Sequence, residues 1–251
     1  MSWTTPFDIA NAGGKAPVVI VCDHASNAVP PEIGDLGVGP RDMRRHIAWD
    51  IGAMAVARRL AEVFDAPAVL CGTSRLVIDC NRRLDDPSLI PAISDGTAVP
   101  GNQGLTAAQR RHRIDAYFRT YHDACRRIVA GKLGRGDRPL FLSIHSMTDR
   151  INGNHRPWEI SLSSNEERGA TEPVLAALKR VPDLVVGDNQ PYDMDPVADY
   201  STPEHALAHG LDYLQVEFRQ DRIAAAAGQE RFAMILAQAI RDSGILGQSR
   251  P

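Results

Sequence analysis

The prediction of the fold starts from the stretch VVIVCDHASNAVP at residues 18–30. Its five apolar residues are typical of a strand that is buried on both faces, and Asp23 and His24 follow at once. Two later apolar runs end in the same way, since LFLSI precedes His145 and YLQV precedes Glu217. In open α/β sheets, ligands bind beyond the carboxyl ends of such strands. We therefore expect these polar side chains to share one site.

Strand-like and helix-like segments alternate along the chain, which favours an α/β fold with a mostly parallel sheet. No repeat, linker or low-complexity tract interrupts residues 1–251, so we expect a single domain. Strands are predicted at residues 17–23, 68–71, 75–80, 140–144, 160–162, 184–186 and 214–218. Helices are predicted from apolar spacing at residues 42–64, 106–132, 172–180 and 222–241, with a short one beginning near residue 202.

Local sequence patterns predict two helix starts and three long loops. Thr106 suits an N-cap, and Thr202 followed by Pro203 suits an N-cap with proline at the first helical position. Three long polar segments, rich in proline and glycine, are predicted to be loops. Long loops in compact domains are usually functional or disordered, so we expect these three to shape a pocket. They cover residues 81–104, 146–158 and 187–203.

Bulk composition narrows the class of protein. The formal net charge of −3 and the 43% hydrophobic content are ordinary for a soluble globular domain and argue against non-specific nucleic-acid binding. The four cysteines form no tight pair, and the N-terminus does not resemble a signal peptide. No apolar stretch approaches the roughly 18 residues of a membrane span. We expect a cytoplasmic protein with no membrane partner.

Two histidines and a carboxylate, with water in the fourth position, are the ligand set of a catalytic zinc. In HIAWDIGA at residues 46–53, His46 and Asp50 are four apart, so on a helix they would share a face. The spacing is similar to that of histidine pairs that bind zinc from one helix, with an acid in second place. An ordinary surface pair is the alternative.

Two arginines are candidates for binding a substrate anion. Arg82 follows the predicted strand at 75–80 and opens a long loop, which suits bidentate capture of a carboxylate, although a solvated loop arginine is the alternative. Glu217 and Arg219 alternate with apolar residues and so would share one strand face. A buried structural ion pair between them is the alternative to a functional role.

Five segments in order resemble the N-formylglutamate amidohydrolase family. They are DHASNAVP at 23–30, HIAWDIGA at 46–53, DCNR at 79–82, IHSM at 144–147 and EFRQD at 217–221. The resemblance implies a zinc-dependent hydrolase with a mixed, mostly parallel sheet flanked by helices, of the zinc-peptidase-like (phosphorylase/hydrolase-like) kind. The family is related to zinc carboxypeptidases and to aminoacylase-like deacylases.

The chain departs from its relatives at the first histidine. The histidine-degradation enzyme of the family is expected to have a Pro-His-Ser-Gly type sequence where this chain has DHAS, so the chain resembles the branch of predicted members more closely. The relatives often take two zinc ligands from a His-x-x-Glu motif, but here Asn27 stands in place of the glutamate. We therefore expect Asp50 to supply the carboxylate.

The resemblance and the residues together give a hypothesis for the site. His24, Asp50 and His145 hold one zinc ion, with His46 as a fourth ligand or as a residue that orients one. Glu217 acts as the general base. The substrate is an N-formyl or other N-acyl amino acid such as N-formylglutamate. The expected substrate-binding residues are Arg82, which takes a substrate carboxylate, Arg219 and Arg75, which are the next candidates for that role, and Asn81, which donates to the oxyanion or amide.

Three rival hypotheses remain open at this point. The first is a zinc carboxypeptidase or a deacylase of another substrate. The second is a non-catalytic binding protein of the same fold. The third is an amidase with Cys22 or Cys80 as nucleophile, because Cys22 lies two residues before His24 and would share its face on a strand. The oligomeric state is not specified by these residues.

Overall fold

A computed structural model describes residues 5–151 and 153–247. Its centre is a seven-stranded sheet in the order β1-β3-β2-β6-β11-β9-β10. The strands of this sheet are β1 (Phe7–Ala10), β2 (Val18–Cys22), β3 (Ala68–Cys71), β6 (Leu140–Met147), β9 (Ile160–Ser163), β10 (Val186–Asp188) and β11 (Tyr213–Arg219). Two small hairpins lie outside it, formed by β4 (Ile93–Ser94) with β5 (Thr97–Ala98) and by β7 (Arg150–Ile151) with β8 (Asn154–His155).

The sheet is mixed but mostly parallel, as the sequence predicts. Strands β3, β2, β6 and β11 run parallel to one another, whereas β1 pairs antiparallel with β3 and β9 pairs antiparallel with β11. Strands β2, β6 and β11 are adjacent, and Glu217 pairs in register with His145. The carboxyl ends of these three strands therefore lie side by side, with His24 just after β2 and with His145 and Glu217 inside β6 and β11 rather than after them.

Helices cover both faces of the sheet and bury it. One hydrophobic core packs the side chains of α1 (Ala53–Phe64), α4 (Thr171–Leu178) and α7 (Ala226–Ser243) against one face. The other core packs α3 (Thr120–Leu133) against the opposite face. The shorter helices are α2 (Ala107–Arg113), α5 (Ser201–His205) and α6 (Gln220–Ile223), and a π-helical segment at Ile114–Arg119 joins α2 to α3. In the described ranges, no helix combines the length and apolar character needed to cross a bilayer.

The helix predicted over residues 42–64 begins only at Ala53. Before it stand a 3-10 turn at Asp42–Arg44 and a loop, so His46 and Asp50 do not lie on one helix face. Gly52 is the reason for the late start. It has φ 83° and lies against α6, where a Cβ atom would come within 2.2 Å of the Ile223 carbonyl oxygen.

The strand predicted at residues 75–80 is also wrong, although the segment is buried as expected. Its backbone forms turns instead, since the Val77 amide donates to the Ser74 carbonyl and the Leu76 amide donates to the Ser74 hydroxyl. Burial alone does not distinguish such a segment from a strand. The antiparallel edge strand β1 has no counterpart among the predicted strands.

The predicted helix start at Thr106 is confirmed, whereas the start at Thr202 and the single closing helix are wrong. Thr106 caps α2 and forms a reciprocal capping box with Gln109. Thr202 lies inside α5 rather than at its N-cap, because its hydroxyl donates to the Gln215 side chain. The closing helix predicted at 222–241 is divided into α6 and α7, which are separated by Ala224 and Ala225.

Candidate metal and substrate site

The structure brings His24, Asp50 and His145 together at the carboxyl end of the sheet. The Nδ1 atoms of His24 and His145 lie 3.3 and 3.1 Å from the same Oδ2 atom of Asp50. The ligand atoms that the three residues offer all lie within 4.8 Å of one another, and all three side chains are buried. Asp50 reaches this point from the loop before α1, where its amide donates to the His24 carbonyl at 2.9 Å.

The outer nitrogen of each imidazole faces a second carboxylate. His24 Nε2 donates to Asp79 Oδ1 at 2.7 Å, and His145 Nε2 lies 3.4 Å from Asp23 Oδ2. These contacts leave the Nδ1 atoms turned inward, toward the space that they share with Asp50. Metal-binding histidines usually hold their other ring nitrogen against a carboxylate in this way. The donor set therefore fits one divalent ion.

Charge in this cluster is balanced between imidazoles and carboxylates. Burial disfavours the charged form of His145, but its contacts with Asp23 and Asp50 raise its pKa well above the ordinary value. Burial and then Arg75 disfavour charge on His24, yet Asp79 and Asp50 raise its pKa as well. The same contacts hold the pKa of Asp50 far below its usual range against the effect of burial. A divalent ion would substitute for the protons that the two imidazoles hold here.

Glu217 faces the cluster from the neighbouring strand. Its carboxylate is 8% exposed, and its Oε2 atom has no hydrogen-bond partner in the described part of the chain. Burial, together with the charge of Asp50, raises the pKa of Glu217 to about 7, although His145 acts in the opposite direction. A carboxyl group with such a pKa can accept and release a proton near neutral pH, as general acid–base catalysis requires.

Arg75 lies beside the histidine cluster, as part of an ion-pair network. Its Nη2 atom donates to Asp79 Oδ2 at 2.6 Å, and its Nη1 atom lies 3.6 Å from Asp50 Oδ1. The guanidinium therefore neutralises two carboxylates of the cluster, and 26% of its side chain remains exposed toward the pocket.

Arg82 and Asn81 line the same pocket on a segment that Asp199 holds in place. Arg82 Nη1 and Asn81 Nδ2 both donate to Asp199 Oδ1 at 3.1 Å. The Asn81 side-chain oxygen accepts bonds from the amides of Tyr200 and Ser201, each at 3.0 Å. Asn81 thus ties its segment to the start of α5, a role that its place in the sequence did not indicate.

Two predicted site residues do not contact the cluster of His24, Asp50 and His145. Arg219 does not line the pocket, since its Nε atom donates to Asp221 Oδ1 at 2.7 Å and its Nη1 atom donates to the carbonyls of residues 156 and 157. It does not pair with Glu217 either, because β11 ends at Arg219 and α6 brings Asp221 within reach. His46 lies in the pocket wall, 3.4 Å from Asp95, and is not grouped with the three metal-ligand candidates.

The cysteines do not provide a nucleophile. Cys22 and Cys80 are fully buried and do not line the pocket that contains the histidines. Burial raises the pKa of the Cys22 thiol well above its ordinary value, and the bond from Cys71 together with burial does the same for Cys80. Neither thiol is poised to ionise, which argues against the cysteine amidase.

A second buried group, formed by His122, Cys125 and His205, also has donor types that a divalent ion accepts. Its two imidazoles are already hydrogen-bonded, since His122 Nε2 donates to the Cys80 carbonyl at 2.8 Å and His122 Nδ1 lies 3.0 Å from His205 Nε2. Burial lowers the pKa of His122 to about 4 and that of His205 to about 3. Two neutral, mutually bonded histidines explain this group without an ion.

The pocket above the first cluster has a volume of about 320 Å³. It is also lined by residues that were not predicted individually as site residues, namely Arg156, Thr148, Tyr192, Gln215 and Asp199. Asp23 and Asp79 were also missed as partners of the histidines, although both lie in the segments that carry the family resemblance. In the sequence, the feature that pointed to Asp23 and Asp79 was their position next to predicted site residues.

Comparison with known proteins identifies the family of this chain. The N-formylglutamate amidohydrolase model matches residues 16–224. A gene product of Agrobacterium tumefaciens of known structure is 34% identical, with a TM-score of 0.92 over 96% of this chain and 95% of that one. An N-formylglutamate amidohydrolase from Ralstonia eutropha JMP134 shares the fold, with 22% identity and a TM-score of 0.72 over 97% of this chain and 99% of that one. No curated protein sequence matches significantly. The chain belongs to the N-formylglutamate amidohydrolase family.

Proposed function

We propose that this protein is a metal-dependent amidohydrolase that cleaves the amide bond of an N-formyl amino acid such as N-formylglutamate, with zinc as the expected ion. The observation that carries the proposal is the convergence of two imidazole Nδ1 atoms on Asp50 beside Glu217, whose Oε2 atom has no hydrogen-bond partner among the residues that the structure describes. Family membership supports hydrolysis of this class of substrate.

His24, Asp50 and His145 would hold the ion. Bound there, a zinc ion would polarise the formyl carbonyl and lower the pKa of a bound water. Asp79 keeps the His24 imidazole oriented through Nε2, and the Ser143 hydroxyl, at 3.0 Å from His145 Nε2, does the same for His145 together with Asp23.

Glu217 carries the proton. As the carboxylate, it takes a proton from the attacking water, and it then delivers that proton to the amide nitrogen as the carbon–nitrogen bond breaks. The products are formate and the free amino acid. Its raised pKa suits both steps, since the group must be a base in the first step and an acid in the second.

Arg82 binds the α-carboxylate of the substrate, and the positive charge of Arg75 lies next to the cluster. Arg82 lies three residues from Asp79, which holds His24, so its segment passes close to the ligand cluster. The α-carboxylate is the substrate group nearest to the scissile amide. An arginine is well suited to bind it through two parallel hydrogen bonds.

The protein is also proposed to work in the cytoplasm without nucleic-acid or membrane partners. Its four cysteines are all free and buried, as suits a reducing compartment.

A substrate panel tests the proposed function. Purified protein reconstituted with zinc should hydrolyse N-formyl-L-glutamate faster than N-acetyl-L-glutamate or N-succinyl-L-glutamate, and chelation should abolish the activity. Faster release of acetate or succinate would instead identify a deacylase of another substrate. Absence of any hydrolysis, together with absence of bound metal after reconstitution, would favour a binding protein of the same fold.

A further inference from the structure

Arg156 is a buried cation in the pocket wall, and no residue that the structure describes is an acidic partner for it. It follows the β7–β8 hairpin and is only 6% exposed. Its Nη2 atom donates to the Tyr192 hydroxyl at 2.8 Å, and its Nη1 atom donates to the Thr148 hydroxyl at 3.3 Å. Within the described ranges, its Nε atom has no acceptor and no carboxylate lies within ion-pair distance of its guanidinium.

The other deeply buried arginines are fully engaged. Arg219 pairs with Asp221 through two bonds and gives a third donor to backbone carbonyls. Arg113 has no carboxylate, but it donates to two backbone carbonyls and to the side-chain oxygen of Asn102. Arg156 has only two neutral hydroxyls as acceptors, and its guanidinium stacks over the Tyr192 ring at 5.1 Å. Both contacts orient the cation without neutralising it.

A buried charge is costly unless an opposite charge accompanies it. Because Arg156 lines the pocket, its missing partner is expected to be an anion that enters the pocket. A guanidinium with unused donors in a fixed fork is suited to a carboxylate. Arg82 differs in this respect, since Asp199 already balances part of its charge at 3.1 Å.

We propose that Arg156 binds the carboxylate at the end of the substrate's side chain and so selects N-formyl amino acids with acidic side chains. The inference rests on the proposed function, in which Arg82 takes the α-carboxylate. Arg75 also lines the pocket but is paired with Asp79 and Asp50, so Arg156 is the arginine left for a second carboxylate. Thr148 and Tyr192, which hold it, lie in two of the three loops predicted to shape the pocket. The two arginines would then account for both negative charges of a substrate such as N-formylglutamate.

The test compares N-formyl-L-glutamate with N-formyl-L-glutamine, which keeps the α-carboxylate but has a neutral side chain. R156Q should lower kcat/KM for the acidic substrate about ten- to hundredfold and leave the neutral one within about threefold. The matched control is R150Q, which removes the same charge from an exposed position in the same hairpin and should change neither value. An equal loss on both substrates in R156Q would overturn the proposal.

Y192F provides a second variant in case R156Q does not fold. Tyr192 is 45% exposed, so removal of its hydroxyl is not expected to affect folding, yet it releases one of the two bonds that orient Arg156. The preference for the acidic substrate should fall several-fold. A preference for the acidic substrate that is unchanged in Y192F would contradict the assignment.

Binding of a non-reacting probe separates this inference from the proposed function. By calorimetry, wild-type protein should bind glutarate more tightly than glutaramate, which has one carboxylate, and R156Q should lose that preference. If wild type hydrolyses neither substrate but shows this difference, the proposed reaction fails and the role of Arg156 stands. If wild type binds the two probes equally, the role of Arg156 fails whatever the activity.

Discussion

Glu217 is the residue on which catalysis depends in this account. It pairs in register with His145, and its Oε2 atom has no partner in the described ranges. Strand pairing with a proposed metal ligand thus places Glu217 beside the cluster. A side chain held by the backbone in this way can be changed without disturbing the ligands.

We predict that E217Q lowers turnover of N-formylglutamate at least about a hundredfold, because glutamine cannot accept the proton of the attacking water. The zinc content should stay the same as in wild type, because Glu217 is not a ligand. Steady-state kinetics and metal analysis on the same preparation check both statements. Turnover close to that of wild type would show that another group is the base.

Asp79 is predicted to act on metal affinity through His24. D79N keeps the shape of the side chain but removes the charge that faces His24 Nε2 at 2.7 Å, and loss of such a partner typically weakens metal binding about 10- to 100-fold. Competition with a chromophoric chelator measures the affinity. D193N is the matched control, since Asp193 lines the same pocket without touching a proposed ligand. Equal affinities in D79N and wild type would exclude this role.

At the scale of the elements, the predictions that succeeded depend on strands. Buried parallel strands have a strong local signal, and their carboxyl ends meet at one edge, so His24, His145 and Glu217 could be placed together from the sequence. The helix that was predicted from residue 42 failed for a different reason. Apolar residues recur at helical spacing before Gly52, but Ile47 and Ala48 are buried in a loop, and the helix begins only after Gly52, which contacts α6 far away in the chain.

The contact between α3 and α5 gives a prediction about pH. His122 and His205 are neutral in the folded protein because burial lowers the pKa of His122 to about 4 and that of His205 to about 3. In the unfolded chain their pKa is about 6.5. Below that value the unfolded chain takes up protons at these two positions that the folded protein does not, so their contribution to the free energy of unfolding falls as the pH is lowered from about 6.5 toward 4.

Each such histidine contributes a loss of about 1.4 kcal/mol per pH unit in this range. H122Q can keep the bond to the Cys80 carbonyl but does not titrate. We therefore expect the free energy of unfolding of wild type to decline more steeply than that of H122Q between pH 6.5 and 5. Denaturant titrations at several pH values measure it. Parallel curves for the two proteins would mean that His122 is already charged in the folded state.

At the scale of the whole molecule, the site is assembled from segments that are distant in sequence. His24 meets Asp79 across 55 positions and His145 meets Asp50 across 95. No local pattern in one sequence encodes such pairs, which is why Asp79, Asp23 and Arg156 were missed while strand-end residues were found. Arg219 was misassigned for a related reason, since strand alternation gives the face of a residue but not where the strand ends.

The central claim is that His24, Asp50 and His145 hold one divalent ion. Metal analysis of wild type, H24A and H145A after reconstitution with zinc tests it most directly, with E217Q as the control that keeps the ligands. We predict about one zinc ion per chain in wild type and E217Q, and little or none in either histidine variant. A stoichiometric zinc ion in folded H24A or H145A would contradict the account.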